Sequence, residues 1–166
     1  MGPNLKSRAV APLLKTLLFT IFVPGSVLVG APYLLLDGFP TPTAGPLTWI
    51  GALGAASGAC IYFRCAWEFA VRGLGTPAPI APTKHLVITG LHRYVRNPMY
   101  IGVFLVIGGE SALFHSAILA VYAAIICVPV QLFVVFYEEP KLLRQFGESY
   151  EHYRRSVPRW IPRLHK

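Results

Sequence analysis

The sequence predicts an all-α protein that crosses a membrane several times, and two properties of its composition lead to this fold class. Hydrophobic residues make up 54% of the chain and charged residues only 13%, whereas soluble domains have about 25% charged residues. The apolar residues are concentrated in long continuous segments. Inside a bilayer such segments must form helices or a closed barrel, because no water is present to satisfy the backbone. We expect residues 1–166 to form a single polytopic membrane domain.

Four apolar segments are candidates for membrane-spanning helices. They are residues 13–36, 47–71, 99–114 and 116–137. Prolines and a glycine are expected to break the first one, at Pro24, Gly25 and Pro32. A helix needs roughly 20 residues to cross the hydrocarbon core, and the third segment is shorter. We therefore expect the third and fourth spans to form a tight helical hairpin that turns near residues 110–115.

The basic residues predict the orientation of the spans. The connection at residues 37–46 and the predicted hairpin turn contain no Lys or Arg, whereas the other connection and both ends of the chain contain many. Segments rich in Lys and Arg stay in the cytoplasm, so both termini and the central loop are predicted to be cytoplasmic. The net charge of +8 favours contact with anionic lipid headgroups or an anionic ligand. Nucleic acid is not expected as a partner, because apolar spans take up most of the chain.

The second span contains a surface of small residues. Gly51, Gly54, Ala55, Gly58 and Ala59 recur at helical spacing. Small residues let two membrane helices approach closely. The sequence leaves open whether the partner is another helix of the same chain or a second copy in a homodimer.

An acidic and a basic residue lie deeper in the same span. Arg64 and Glu68 are one helical turn apart and are predicted to form an ion pair. Charges within a membrane are costly and often functional. A structural pair, with the Arg64 side chain reaching towards the cytoplasmic interface, explains them equally well.

Two polar clusters flank the helical hairpin. Asn97 and Pro98 suit the N-cap and the first position of the third span, and Arg96 adds a bidentate donor for an anion. Glu138 and Glu139 follow the fourth span, where they are expected to end the helix and to oppose its dipole. The hairpin returns both clusters to one membrane surface. We expect one pocket with a positive wall, a negative wall and an apolar floor, which suits a zwitterionic cofactor and an amphipathic substrate.

The tail of the chain is predicted to be an amphipathic helix at the membrane interface. Its apolar and aromatic residues alternate with basic ones; they are Leu142, Leu143, Phe146, Tyr150 and Tyr153. Trp160, between Pro158 and Pro162, is expected at the level of the lipid headgroups.

The segments that form these clusters resemble a known family. GLHRYVRNPMYIG, followed by EEPKLLRQFGESYEHYRRSVPRWIP, is similar to the integral-membrane methyltransferases, the superfamily of isoprenylcysteine carboxyl methyltransferases and phospholipid N-methyltransferases. The similarity covers roughly residues 77–162. It implies a membrane enzyme with S-adenosylmethionine as the methyl donor and S-adenosylhomocysteine as the product. The cofactor would be bound at the cytoplasmic face by residues 72–166, while residues 1–71 would supply the first two spans.

The resemblance also implies which residues form the site. Cofactor contacts are expected from the motif around the start of the third span, from its lead-in and from the glutamate pair: His85, Leu86, Val87, Gly90, His92, Tyr94, Asn97, Pro98, Tyr100, Glu138 and Glu139. Arg96 would orient an anionic group of the substrate. Glu139 or Tyr100 would remove a proton from an amine acceptor. Gly73-Leu74-Gly75 resembles the Gly-x-Gly of the phospholipid branch.

The chain departs from the family pattern at two positions. Many members have Tyr where this chain has His92, and the carboxyl methyltransferases usually have His where it has Asn97. The second difference leaves carboxyl methylation in doubt. Prenylated cysteine, a phospholipid amine, a small thiol and another lipid all remain open as acceptors. No metal is expected, because the sequence has no cluster of His, Cys and carboxylate residues at metal-ligand spacing.

Two other classes of protein are compatible with part of the pattern. Sterol-type reductases resemble the C-terminal half of this family and use NADPH, but they are larger and have more spans. A non-enzymatic membrane scaffold would account for the spans and the basic surface. It would not explain why Arg96 and Asn97 converge with Glu138 and Glu139 at one surface.

Overall fold

The computed structural model describes residues 5–73 and 83–163, with side chains from residue 14 onward. All regular secondary structure within these ranges is helical, which confirms the predicted fold class. The α-helices are α1 (Leu5–Gly25), α2 (Ala31–Leu35), α3 (Pro46–Val71), α4 (Pro98–Leu113), α5 (Ala117–Phe133), α6 (Glu139–Phe146) and α7 (Glu148–Ser156). Two short π-helical turns, Ser26–Gly30 and Val134–Glu138, connect α1 to α2 and α5 to α6. A 3-10 turn covers Gly90–Arg93.

In the described part of the chain, three helical segments are long and apolar enough to cross a membrane: Leu14–Leu35, Pro46–Val71 and Ala117–Phe146. Helix α4 is apolar but has only 16 residues, so it is roughly 24 Å long at about 1.5 Å per residue. Large apolar side chains such as Phe136 and Leu34 are 75% and 79% exposed on the outside of the bundle. These features are those of a helical membrane bundle in which lipid covers the outer faces.

Helices α3 and α4 form an antiparallel pair, and the small residues of α3 are used within the chain. A Cβ atom on Gly58 would lie 2.5 Å from the carbonyl oxygen of Gly102, and one on Gly109 would lie 2.4 Å from the Ala55 nitrogen. Only a hydrogen atom fits at these positions, so the glycines permit the close approach of the two backbones. The small-residue surface is therefore occupied by α4, and a homodimer would need a different surface.

The first span is not broken at its prolines, contrary to expectation. The helix passes through the π turn, in which the Ala31 N–H donates to Ser26 O, five residues back. The same bond joins the Glu139 N–H to Val134 O in the fourth span. Each donor immediately precedes a proline. Opening the turn by one residue relieves the clash that a proline ring makes with the carbonyl four residues earlier.

The second π turn corrects the prediction for the two glutamates. Glu138 is the last residue of the π turn and Glu139 is the first residue of α6, so both lie within a continuous helical segment that ends at Phe146. They do not end the helix as expected. The two glutamates therefore do not oppose the dipole at a helix C-terminus, contrary to the prediction.

The two ends of the bundle differ in character. At one end, the Phe39 ring stacks on Phe114 at 5.6 Å, and Thr48 Oγ1 lies 3.0 Å from His115 Nε2. The connection without Lys or Arg and the hairpin turn thus lie side by side. The other end comprises the loop before α4 together with α6, α7 and the C-terminal segment, and it contains the polar clusters.

The tail is divided into two helices, where one was predicted. Gly147 separates α6 from α7 and adopts a φ of 54°, a left-handed conformation that glycine tolerates best. Tyr150 and Tyr153 are 2% and 8% exposed and form a small core with Val157. Leu86, Leu142 and Phe146 pack against this core. The prediction that these tyrosines face the membrane interface is therefore wrong, because they are buried within the protein.

Candidate active site

A cavity of about 310 Å³ lies at the polar end of the bundle. Its walls come from α1, α3, the start of α4, the α5–α6 segment and the loop before α4. The larger part of the lining is apolar and includes Phe19, Val23, Val27, Phe69, Val103, Ile126, Val130 and Phe133. The polar part consists of Tyr62, Thr83, His92, Arg96, Asn97, Tyr100, Tyr137, Glu138, Lys141 and Gln145. A mainly apolar cavity with a few convergent polar groups is typical of a small-molecule site.

Tyr100 and Glu138 join the two polar clusters across this cavity. The Tyr100 hydroxyl donates to Glu138 Oε2 at 2.9 Å. This bond links the first turn of α4 to the π turn after α5. It confirms that the hairpin returns both clusters to one place.

Glu139 points away from Glu138, because consecutive residues of a helix do not share a face. Its carboxylate accepts two hydrogen bonds from Arg159, from Nε at 2.7 Å and from Nη2 at 2.9 Å. Arg96 Nη1 lies 2.9 Å from the same carboxylate. Hydrogen bonding to Glu139 raises the pKa of Arg159 above its ordinary value. Glu139 therefore ties Arg96 to the C-terminal segment and does not border the cavity.

Arg96 borders the cavity and has unused donor capacity. Its side chain is 12% exposed, and its Nε is buried without a hydrogen-bond partner among the described residues. Its backbone N–H donates to Pro158 O at 2.8 Å. A buried guanidinium N–H without an acceptor is costly, and an anionic ligand group would satisfy it.

Asn97 occupies the position predicted for it but bonds differently. It directly precedes Pro98 at the start of α4, yet its side chain makes no cap hydrogen bond. Instead, Asn97 Nδ2 donates to Arg159 O at 3.2 Å. The predicted capping role is therefore wrong, because this amide holds the returning C-terminal segment against the cavity loop.

His92 and Glu68 form a second buried pair behind the cavity. His92 Nδ1 lies 3.6 Å from Glu68 Oε2, and the predicted pair of Glu68 with Arg64 is confirmed at 3.4 Å. The side chain of Glu68 is 2% exposed and that of Arg64 57%. Burial lowers the pKa of His92, and the nearby Glu68 carboxylate opposes that shift. The Tyr153 hydroxyl donates to His92 O at 2.8 Å and holds the loop in place.

The structure brings together about half of the residues that sequence analysis nominated. The cavity lining includes His92, Arg96, Asn97, Pro98, Tyr100 and Glu138. Outside the lining lie His85, Leu86, Val87, Gly90, Tyr94 and Glu139. Leu86 packs on the core around Tyr150, and Gly90 packs on the Glu68 carboxylate. Of the predicted Gly-x-Gly, Leu74 and Gly75 lie outside the described residues.

Four polar residues of this region were missed: Thr83, Lys141, Gln145 and Arg159. Lys141 and Gln145 follow Glu138 by three and seven residues and line the same cavity. That helical spacing would have identified both, had the helix been expected to continue past Glu139. Gln145 Nε2 also donates to Thr83 O at 2.7 Å and so fixes the loop at the rim.

The fold and the cavity together define an integral membrane protein with a candidate ligand cavity at one end of its helical bundle. The family model described as phospholipid methyltransferase matches residues 47–149. Since this match spans more than half of the chain, the protein belongs to that family.

Two curated relatives illustrate the range of the family. The chain is 34% identical over 79 residues to a protein-S-isoprenylcysteine O-methyltransferase of Schizosaccharomyces pombe, a match that covers 47% of this chain and 34% of the relative. It is 39% identical over 77 residues to a methanethiol S-methyltransferase of Crocosphaera subtropica, covering 45% and 28%. The matches thus cover about a third of the length of each relative. No solved structure matches the chain significantly.

Proposed function

We propose that the protein transfers a methyl group from S-adenosylmethionine to a lipid or another amphipathic acceptor at the cytoplasmic face of a membrane. The observation that supports this most directly is the Tyr100–Glu138 hydrogen bond across the cavity. It brings the two motifs of the family resemblance to one site. The relatives named above are methyltransferases for isoprenylcysteine and for methanethiol, which supports the reaction class.

The polar end of the cavity fits the methyl donor. S-adenosylmethionine has a carboxylate and an ammonium group as well as a positively charged sulfur. Arg96, whose Nε is buried without a partner among the described residues, would hold the carboxylate. Glu138 would hold the ammonium group, and Asn97 borders the same space. When bound, the donor supplies an electrophilic methyl group.

The contribution of this chain is to position the reactants and exclude water. Methyl transfer needs the acceptor atom in line with the donor methyl group, so orientation provides much of the rate. The apolar walls from α1 and α5 would hold the apolar part of the acceptor, and they keep water from the reacting atoms. Glu139 acts as a positioning residue, because it fixes Arg96 through the same carboxylate that binds Arg159.

The cytoplasmic orientation rests on the two ends of the bundle. The end formed by the residue 37–46 connection and the hairpin turn has no Lys or Arg, whereas the cavity end includes Lys84, Arg96 and Lys141. By the positive-inside rule the cavity end faces the cytoplasm. Fusion of a pH-sensitive fluorescent protein to the C-terminus, read on intact cells, would check this orientation.

Calorimetric titration with S-adenosylhomocysteine tests the proposed function. The full chain in lipid nanodiscs would be compared with Glu138→Gln and with Glu148→Gln, whose residue is exposed on α7. We expect micromolar binding by the wild type and by Glu148→Gln, and binding at least about tenfold weaker for Glu138→Gln, because it loses a charged contact. Absence of binding by well-folded wild type, in nanodiscs and in detergent, would refute the proposal. Binding of NADPH in its place would favour a reductase.

A further inference from the structure

His92 lies between the Glu68 carboxylate and the cavity. Glu68 is 1% exposed and His92 4% exposed. His92 turns Nδ1 towards Glu68 at 3.6 Å, and the same residue lines the cavity. Phe69, which also lines the cavity, packs edge-on against the imidazole at 5.2 Å. A buried carboxylate behind an imidazole that borders a ligand site is the arrangement by which proteins orient a proton-accepting histidine.

Burial of this pair is energetically unfavourable, because its polar atoms lack complete hydrogen bonding. Both Glu68 carboxylate oxygens and His92 Nδ1 are buried without hydrogen bonds of normal geometry among the described residues. Gly90 has a φ of 57°, and the Glu68 carboxylate occupies the space that a side chain at this position would need. A Cβ there would lie 1.9 Å from Glu68 Oε1. A buried pair with incomplete hydrogen bonding adds little stability. Its presence beside a ligand cavity therefore points to a role in the reaction.

We propose that His92, oriented by Glu68, accepts the proton of the methyl acceptor, and that this acceptor is a thiol. This inference rests on the proposed methyltransferase function and specifies its substrate class. In the step, the S–H bond of the acceptor breaks and the proton moves to the ring nitrogen of His92 that is not turned to Glu68. The electron pair stays on sulfur, which attacks the methyl group of the bound sulfonium donor. One proton is released to water for each methyl group transferred.

His92 has the properties of a base at neutral pH. Burial lowers its pKa from the ordinary value and the Glu68 carboxylate only partly offsets this, so the neutral imidazole predominates. Glu68 next to Nδ1 favours a proton on that nitrogen and leaves the other one basic. Among the described residues, the charged and titratable groups around the pair and the cavity are Tyr62, Arg64, Cys65 and Glu68 on α3, Arg96 on the loop, and Tyr100, Tyr137, Glu138, Lys141 and Tyr153 on the other helical segments.

The acidity of the acceptor favours a thiol over the other acceptors. A carboxylate acceptor has no proton to lose at neutral pH, so His92 would have no function. An ammonium, with an ordinary pKa of about 10.4, is a much weaker acid than a thiol, and a buried imidazole whose own pKa is lowered is a poor base for it. A thiol, with an ordinary pKa of about 8.5, enters an apolar cavity uncharged and is acidic enough to give its proton to His92.

A comparison of an alkanethiol with the matching alkaneselenol tests the inference, because a selenol is already ionised at neutral pH. We expect His92→Gln to methylate the thiol roughly 100-fold more slowly than wild type, the lower range for loss of a general base. Its rate with the selenol should stay within about threefold of wild type. His152→Gln, changed at an exposed histidine of α7, should match wild type with both acceptors. His92→Asn serves as a second variant if His92→Gln does not fold.

Two further measurements separate a chemical from a structural role. Nitrogen NMR of the imidazole should show the proton on Nδ1 in the wild type and a shifted tautomer balance in Glu68→Gln. The rising limb of kcat/KM against pH for the thiol should move in His92→Gln to the ionisation of the thiol itself, whose ordinary pKa is about 8.5. An equal loss of methylation rate with thiol and selenol in His92→Gln would overturn the inference. So would an unprotonated Nδ1 in the wild type.

Binding of S-adenosylhomocysteine distinguishes this inference from the function on which it rests. Wild type that binds it and methylates a carboxylate but no thiol would refute the role of His92 and leave the methyltransferase function intact. Wild type that binds none would refute the function itself.

Discussion

The Tyr100 hydroxyl and Glu138 Oε2 are 2.9 Å apart, and this bond connects the beginning of α4 with the end of the fourth span. It crosses the polar end of a cavity that is otherwise mainly apolar. The bond therefore holds the Glu138 carboxylate in one orientation before any ligand arrives.

Tyr100→Phe should weaken S-adenosylhomocysteine binding by up to about tenfold. The variant keeps the ring but frees the Glu138 side chain, so binding must also order it, at a cost of up to about 1.5 kcal/mol. Calorimetry in nanodiscs measures it, with Tyr33→Phe as the control because Tyr33 is 53% exposed and outside the cavity. Unchanged affinity in Tyr100→Phe would show that the bond does not prepare the site.

Arg159→Lys should destabilise the folded protein by about 1–2 kcal/mol, since lysine cannot reproduce the two parallel hydrogen bonds to Glu139. Denaturant unfolding in detergent measures the change. Arg155→Lys is the matched control, because Arg155 pairs with Glu151 on the exposed face of α7. Its unfolding should be indistinguishable from wild type. Equal stability of the two variants would contradict a structural role for the Glu139–Arg159 pair.

Gly90→Ala should be much more destabilising than Gly147→Ala. Both glycines have a positive φ, 57° and 54°, so each alanine incurs a backbone penalty of at least about 1–2 kcal/mol. At Gly90 the new Cβ would also collide with the Glu68 carboxylate, whereas nothing lies within 4 Å at Gly147. Thermal unfolding of both variants tests the difference, and similar midpoints would mean that the loop moves freely away from Glu68.

Gly58→Ala should disrupt the contact of α3 with α4, because its Cβ would lie 2.5 Å from Gly102 O. Backbone atoms on both sides leave little room to adjust, and overpacking of this kind costs about 1–3 kcal/mol. Gly54→Ala on the same helix is the control, since its nearest neighbour would be 3.6 Å away. The two variants should differ clearly in denaturant midpoint.

The folded protein should lose stability in mild acid through His92. Because burial lowers the His92 pKa, the unfolded chain binds this proton at higher pH than the folded chain. The associated stability is present above the unfolded pKa of about 6.5 and is lost progressively as the pH falls from there through the lower pKa of the folded state. Unfolding midpoints at about pH 7.5 and pH 5.5 measure the loss. His92→Gln should reduce it, and His152→Gln should leave it unchanged.

Much of the site was predictable because its parts lie at the ends of recognisable helices. Tyr100 and Glu138 flank a hairpin, so their approach follows from two antiparallel helices of known length. Arg159 was not predictable in the same way. It reaches Glu139 because the chain, after the break between α6 and α7 at Gly147, runs beside residues 94–97, where Arg163 N donates to Tyr94 O at 3.1 Å. That path depends on a single left-handed residue and on packing around Tyr150.

Composition and apolar periodicity were sufficient for the helical membrane class, for the short α4 and for the hairpin, since these depend on local pattern and bilayer thickness. The different directions of Glu138 and Glu139 depended on the packed chain. A π turn adds one residue to the helix and rotates the side chains that follow it by about 100°. The hydrophobic pattern of the sequence does not reveal this rotation. The pairing of Glu68 with His92 likewise required the loop to lie on α3, because residues 24 positions apart meet only through tertiary packing.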